Sequence, residues 1–210
     1  MDEKFRLILT GVRELSLDIG IRNLSLESIC QHLHISKDDL KVYVSNEAEL
    51  VEKVLEFERE SFKSIFDEHN FEDVNAIDIL LIVSQEMNNR FRDLTPSITL
   101  DLKMLYPEIY QHHFEQRIEF IFGKIKINIE KGIRQGIYRQ DLSIELLARL
   151  YISRLIDLHN PVFFPPDKFS FPVLFEVMFE NFIRGIANDE GLEYFKKRRK
   201  SFRFSVRSEE

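Results

Sequence analysis

Apolar residues recur at intervals of three and four along almost the whole chain, the spacing of one face of an α-helix. Phe5, Ile8, Leu9, Val12 and Leu15 mark a first amphipathic helix that closes near Gly20. Ser25 is a suitable N-cap for a short second helix with Leu26, Ile29, Cys30 and Leu33 on its inward face. Three residues after Leu33, Ser36 caps again, and Ser36-Lys37-Asp38-Asp39 is an acidic variant of the capping box. The brief helix it starts turns Leu40 and Val44 inward. A long helix begins at Ser45 or Asn46 and carries Leu50, Val51, Val54, Leu55, Phe62, Ile65 and Phe66 on its apolar side.

The same periodicity predicts helices at 74–91, 97–105, 107–135, 143–158 and 170–188. Thr95 stands as a cap ahead of Pro96, and Ser143 as a cap for the helix that follows it. Ile118, Ile121, Phe122, Ile125 and Ile129 form one continuous stripe, which Gly132 and Gly136 weaken and end. The Pro-rich connection 159–172 holds four phenylalanines and is expected to pack rather than wave in solvent. No strand alternation, internal repeat or heptad array interrupts this pattern, so the fold class expected is all-α.

Composition narrows the class. The chain has 210 residues, 44% of them apolar and 31% charged, with 7 Gly and 6 Pro, which suits a core-bearing helical protein with few loops. The single cysteine, Cys30, excludes an intramolecular disulfide framework and a multi-cysteine zinc site. No apolar run reaches the length of a bilayer helix, and the N-terminus lacks the basic and apolar regions of a secretory signal. The expectation is a cytoplasmic protein with no membrane partner. Of the net charge of −7, residues 1–50 carry −3, residues 51–195 carry −9 and residues 196–210 carry +5. An acidic body with a short basic tail is not the footprint of a protein that coats nucleic acid without regard to sequence.

Two short helices joined by a three-residue turn and propped by a longer preceding helix form a helix-turn-helix unit. Its second helix presents its N-terminal end and one face to the major groove. That face would carry Ser36, Lys37, Asp38, Lys41, Val42 and Tyr43, with Arg22 and Ser25 as further candidates for DNA contact. The stretch LSLESICQHLHISKDDLKVYVSNEAEL, from Leu24 to Leu50, resembles the N-terminal signature of the TetR-type transcriptional regulators. The matching positions are Gly20, Ser25, Leu26, Ile29-Cys30, Ile35-Ser36, Leu40, Tyr43 and Glu49-Leu50, and GIRQGIYRQDL (132–142) is similar to the family's turn before its dimerisation helices. The resemblance implies a three-helix DNA-binding domain, 1–46, then a larger helical ligand-binding and dimerisation domain, 47–195. The basic tail is placed at 196–210.

Departures fall where DNA would be met. The family's turn glycine is His34, the aromatic after Leu40 is Lys41, the Phe before the long helix is Val44, and a phosphate-binding lysine is replaced by Glu47. Asp38 and Asp39 stand at the end meant to approach the duplex, although acidic side chains there also suit the helix dipole. The expected partner is therefore double-stranded DNA, bound weakly to moderately, with strong salt dependence and with sequence preference. The alternative from a different class is a helical dimer that binds a small molecule or protein and has weakened or lost operator recognition. The tail run KKRRK (196–200), with Arg203 and Arg207, could add phosphate attraction or stand idle as a solvated end.

The helices at 143–158 and 170–188 are apolar on more than one face and so need burial on more than one side. Leu147, Tyr151, Leu155, Phe175, Phe179, Phe182 and Ile186 are the candidates for a homodimer interface, which the resemblance also implies. In the middle region Met87, Phe91, Met104, Tyr110, His113, Phe114, Arg117 and Phe122, with Tyr106, would line an inducer cavity of the kind the resemblance implies; their aromatic character favours an apolar or aromatic small molecule. Most Met and Phe at helical spacing are simply core. His112-His113 lacks a second His or Cys at i+4, so no metal and no cofactor is expected. There is no Gly-rich phosphate loop, GxSxG or CxxC, and no enzymatic activity is expected.

Overall fold

The computed structural model describes residues 2–91, 96–158, 160–165 and 167–200. Among them are ten α-helices: α1 (Glu3–Ile19), α2 (Leu26–Leu33), α3 (Lys37–Lys41), α4 (Glu47–Glu68), α5 (Ala76–Phe91), α6 (Pro96–Leu105), α7 (Pro107–Arg134), α8 (Ile144–Asp157), α9 (Phe171–Ile186) and α10 (Asp189–Arg199). A single turn of 3₁₀ helix, Ile21–Asn23, follows α1. The all-helical expectation holds. The chain forms two compact units, one of residues 1–64 and 93–117 and one of residues 65–92 and 118–210. This division differs from a boundary at residue 46, because most of α4, all of α6 and the start of α7 belong with the N-terminal helices.

In the first unit the ends of the short helices are set by side chains. The Asp2 carboxylate accepts from the Phe5 N–H at 2.8 Å and caps α1. Ser25 and Ser28 form a reciprocal capping box at the start of α2. Ser36 Oγ accepts from the Asp39 N–H at 3.0 Å and starts α3, and Asn46 Oδ1 accepts from the Glu49 N–H at 2.9 Å to start α4. His34 closes α2 in the left-handed conformation, φ 54° and ψ 41°, which histidine tolerates better than most side chains. The turn therefore survives without its glycine. The core of this head gathers Phe5, Leu9 and Val12 of α1, Ile29 and Cys30 of α2, Leu40 of α3 and Leu50 of α4, all buried. A second apolar group, Ile21, Val51, Leu55 and Leu102, draws α6 onto α4.

The second unit is built around α7, α8 and α9, with α10 added to α5 and α9. Tyr138, just past α7, is almost wholly buried, and its hydroxyl donates to Asn128 Oδ1 at 3.2 Å. The Asn128 amide donates in turn to the Ala76 carbonyl at 2.8 Å. Residues 137–139 run beside the α9–α10 junction: the Arg139 N–H donates to the Ile186 carbonyl and the Asn188 N–H to the Ile137 carbonyl, at 2.9 and 3.1 Å.

Three expectations are corrected here. The basic run placed in a tail from residue 196 instead belongs, at KKRR (196–199), to the last turn of a further helix, Asp189–Arg199. Arg198 Nε sits 2.7 Å from the buried Asp78 carboxylate, which also accepts from the Tyr194 hydroxyl, while Arg199 pairs with Glu176 and Glu180. Positive charge at a helix C-terminus is favourable, and these carboxylates hold it in place. Arg203 and Arg207 lie outside the described residues, as do His159, Pro166 and Thr95. In the Pro-rich connection Phe164 and Phe169 pack edge to face, but Val162, Phe163 and Phe169 stay exposed. Ser143 precedes α8 without a side-chain capping hydrogen bond.

Candidate nucleic-acid interface and ligand-binding residues

The face of α3 is open in the way a reading helix requires. Lys37 and Lys41 are exposed, and Val42 is 78% exposed, a position where an apolar side chain has nothing to cover it. Ser36 is exposed as well, although its hydroxyl is engaged with Asp39. Tyr43 lies at the edge: its ring stacks on Phe5 with centroids 4.5 Å apart, so it also helps fasten α3 to α1. Ser25 is occupied as the cap of α2.

The acidic residues are partly compensated. Lys4 Nζ donates to Asp39 at 2.9 Å. The Ser36 hydroxyl, and then Lys4, hold the Asp39 carboxyl below its ordinary range, and the same pairing raises the Lys4 ammonium. Lys37 approaches Glu27 only to 3.9 Å. Glu47, which replaces a lysine of the TetR-type pattern, accepts from the Leu26 N–H at 3.2 Å and so ties α4 to the start of α2. Its charge serves the fold of the head. Arg22 is engaged within the chain: Nε donates to Asp101 of α6 at 2.6 Å and Nη2 to the Met104 sulfur at 3.4 Å.

The candidate ligand residues separate. Tyr110, His113 and Arg117 occupy one face of α7, with Phe114 stacked on Tyr110 at 5.8 Å. Met104 points outward and is largely exposed, because Ile98 and Leu102 provide the inward side of α6. Tyr106 packs against the Ile21–Leu102 group. Met87 and Phe122 belong to the second unit, and the Phe122 ring is covered by the Arg149 guanidinium at 5.0 Å. The Phe91 side chain lies outside the described residues.

Around Tyr110, His113 and Arg117 the structure gathers charges that periodicity had not singled out. Arg13 of α1 meets Glu58 of α4 at 3.5 Å. Arg59 Nη1 lies 2.9 Å from His113 Nδ1. A guanidinium only donates, so Nδ1 accepts and the neutral ring carries its proton on Nε2. Burial, with Arg117 and Arg59 nearby, pushes the His113 pKa down to about 4. Burial raises Glu58 against the pull of Arg13 and Arg117, and lowers Arg117 against the pull of Glu58. The signal available in sequence was position: Glu58 falls between Leu55 and Phe62, and Arg117 between Phe114 and Ile121, on stripes that are otherwise apolar.

Of the candidate dimer residues, Tyr151, Phe179, Phe182 and Ile186 are buried by the chain itself, with the Tyr151 and Phe182 rings 4.5 Å apart between α8 and α9. They hold those helices to each other, which leaves them no surface to offer a partner. Leu147, Leu155 and Phe175 are partly buried. The apolar side chains that do face outward are Leu146, Leu150 and Ile156 of α8 and Val173 and Val177 of α9.

Solved structures share this arrangement of helices. A TetR transcription regulator from Haloarcula marismortui matches with a TM-score of 0.70 at 17% identity, over 86% of this chain and 96% of its own. The chain has the TetR fold. A regulator from Saccharomonospora viridis in complex with choline shares the TetR fold with a TM-score of 0.69 at 19% identity, over 89% of this chain and 100% of its own. AibR, in complex with isovaleryl coenzyme A and operator DNA, matches with a TM-score of 0.56 at 14% identity, over 84% and 96%. No protein-family model and no curated protein matches the sequence. Among the described residues no group of three His, Cys, Asp or Glu side chains could hold a metal ion, and no helix is long and apolar enough to cross a membrane.

Proposed function

We propose that this chain is a ligand-responsive transcriptional regulator, acting as a repressor, whose homodimer binds a palindromic DNA operator through α3. The observation that carries the reading is the exposed face of α3, held on a three-helix head by two serine caps and a left-handed histidine turn, within a TetR fold. Support comes from the complexes of two proteins with that fold, one holding operator DNA and an acyl coenzyme A, the other choline. A regulator with a resident catalytic function is not needed to account for any residue described above.

In this reading Lys37 and Lys41 contact phosphates, Val42 meets an apolar base edge and Tyr43 and Ser36 lie at the rim. Two copies of the head suit two half-sites about one helical turn, or a multiple, apart. Selection from a random duplex library at low salt should enrich a palindromic site. Lys37→Ala with Lys41→Ala should then lower affinity at least tenfold. It should also reduce the slope of log K against log salt by about 0.9 for each phosphate contact removed. A library with no enriched sequence overturns the proposal. It would favour the alternative that operator recognition is lost, which the engagement of Arg22 by Asp101 and the presence of Asp38 make specific.

The homodimer is expected to close over Leu146, Leu150, Ile156, Val173 and Val177. Leu150→Glu combined with Val177→Glu would place four charges in a two-fold interface, each costly to bury without a partner. Sedimentation equilibrium at micromolar concentration should show a dimer for the parent chain and a monomer for this variant, with unchanged helicity.

A further inference from the structure

We infer that Asp38 is the base-reading carboxylate of α3, accepting from the N4 amino group of a cytosine in the major groove, close to a thymine whose methyl group meets Val42. This rests on the reading of the chain as an operator-binding regulator and names what its half-site contains. The two side chains share a face. The Val42 N–H donates to the Asp38 carbonyl at 3.3 Å, so one helical turn separates them. Leu40, almost wholly buried in the core of the head, anchors the opposite side, about 160° around the helix from each. Asp38 and Val42 are therefore the exposed crest of α3.

The neighbouring carboxylate is committed elsewhere: Asp39 accepts from Lys4 Nζ at 2.9 Å and from the Ser36 hydroxyl at 2.6 Å. Lys37 and Lys41 lie together on one flank of the crest, placed for backbone phosphates. Among the described residues no donor reaches the Asp38 carboxylate. Phosphates repel it, so at a duplex it belongs over the floor of the groove, where base edges present donors. A carboxylate only accepts. Guanine presents acceptors alone, thymine an acceptor and a methyl group, and adenine a donor next to the N7 acceptor; cytosine presents its amino donor without a competing acceptor. The apolar base edge in that groove is the thymine methyl, which suits Val42, 78% exposed. Four residues of helix rise about 6 Å, so the cytosine and the thymine stand within about two base pairs of each other.

Selection from a random duplex library with the full chain, with Asp38→Asn and with Asp39→Asn tests the inference. The parent site should carry cytosine at one symmetric pair of positions. Asp38→Asn should exchange it for adenine, whose N6 and N7 an amide engages together. Asp39→Asn should keep the cytosine and lower affinity for all duplexes alike, since it loosens α3 from α1. N4-methylcytosine keeps the Watson–Crick pair and removes the hydrogen that faces the groove. At that position it should weaken the parent chain about tenfold and leave Asp38→Ala indifferent. Uracil in place of the thymine should weaken it about fourfold. An enriched site with the same bases for the parent chain and Asp38→Asn, or one bound equally well with N4-methylcytosine or with uracil, overturns this inference and leaves the regulator standing. A library without an enriched site defeats both. The nucleotide substitutions need no altered protein, so they decide the matter if a variant fails to fold.

Discussion

Gly191→Ala should destabilise the second unit by about 3 kcal/mol, in line with the cost of forcing extra atoms into a packed interior. Gly191 stands in the first turn of α10, where its N–H donates to Asn188 Oδ1 at 2.9 Å. A Cβ placed there would lie 2.2 Å from the Ile137 carbonyl oxygen. That oxygen cannot move aside, because it accepts from the Asn188 N–H and its neighbour Tyr138 is locked by the hydrogen bond to Asn128. Gly132 lies against the same segment: a Cβ on it would meet the buried Tyr138 ring at 2.0 Å. Gly185 of α9 is the control, since a Cβ there meets nothing within 4 Å. Gly185→Ala should be neutral or stabilise by up to about 1 kcal/mol through helix propensity. Urea unfolding of the three chains gives the comparison directly; equal midpoints for Gly191→Ala and Gly185→Ala would contradict the packing described.

The second large effect is a dependence of stability on pH that originates at His113. In the folded chain its pKa is about 4, against 6.5 when unfolded. The folded state therefore binds fewer protons than the unfolded state between those values, and stability must fall as pH falls through that window. The contribution is complete above pH 7 and diminishes by about 2 kcal/mol at pH 5, approaching a loss of about 3 kcal/mol near pH 4. Arg59, Arg117 and His112 all act in this direction, and a backbone hydrogen bond to Leu55 opposes them. Glu58 acts with the reverse sign: its folded pKa is raised, so protonation stabilises the fold as pH drops through that range. Comparison with His113→Gln separates the two. The glutamine carbonyl can still accept from Arg59, so the stability difference between the chains should be constant above pH 7 and shift toward the variant on acidification. A parallel pH profile for both chains would show that His113 is not the group responsible.

Much of the head was readable from local chemistry. Ser25 and Ser36 announce the starts of α2 and α3, and the apolar stripe of α1 predicts which residues enter the core, because capping and periodicity act over a few residues. The longer helices follow for the same reason, with α5 through α9 ending within about two residues of the periodic pattern. The destinations of charged residues were not readable in the same way. Asp78 sits in the run AIDILL and Glu58 on an apolar stripe, and each is met by an arginine distant in sequence. Such a pairing is a tertiary fact, and α10 was missed with it: a run of lysines and arginines reads as solvated until the carboxylates of α5 and α9 are seen to receive it. The aromatic residues of α8 and α9 mislead in the opposite direction. Their side chains are large enough to satisfy one another between two neighbouring helices, so that the outward face falls to smaller Leu, Ile and Val.

Cys30 is the chain's sole thiol, and it is buried in the same apolar group as Leu9 and Leu40. An alkylating or disulfide-exchange reagent reaches that sulfur only when the three-helix core parts. The modification rate of the unaltered chain is thus a built-in clock for the opening of this three-helix core, blind to events elsewhere.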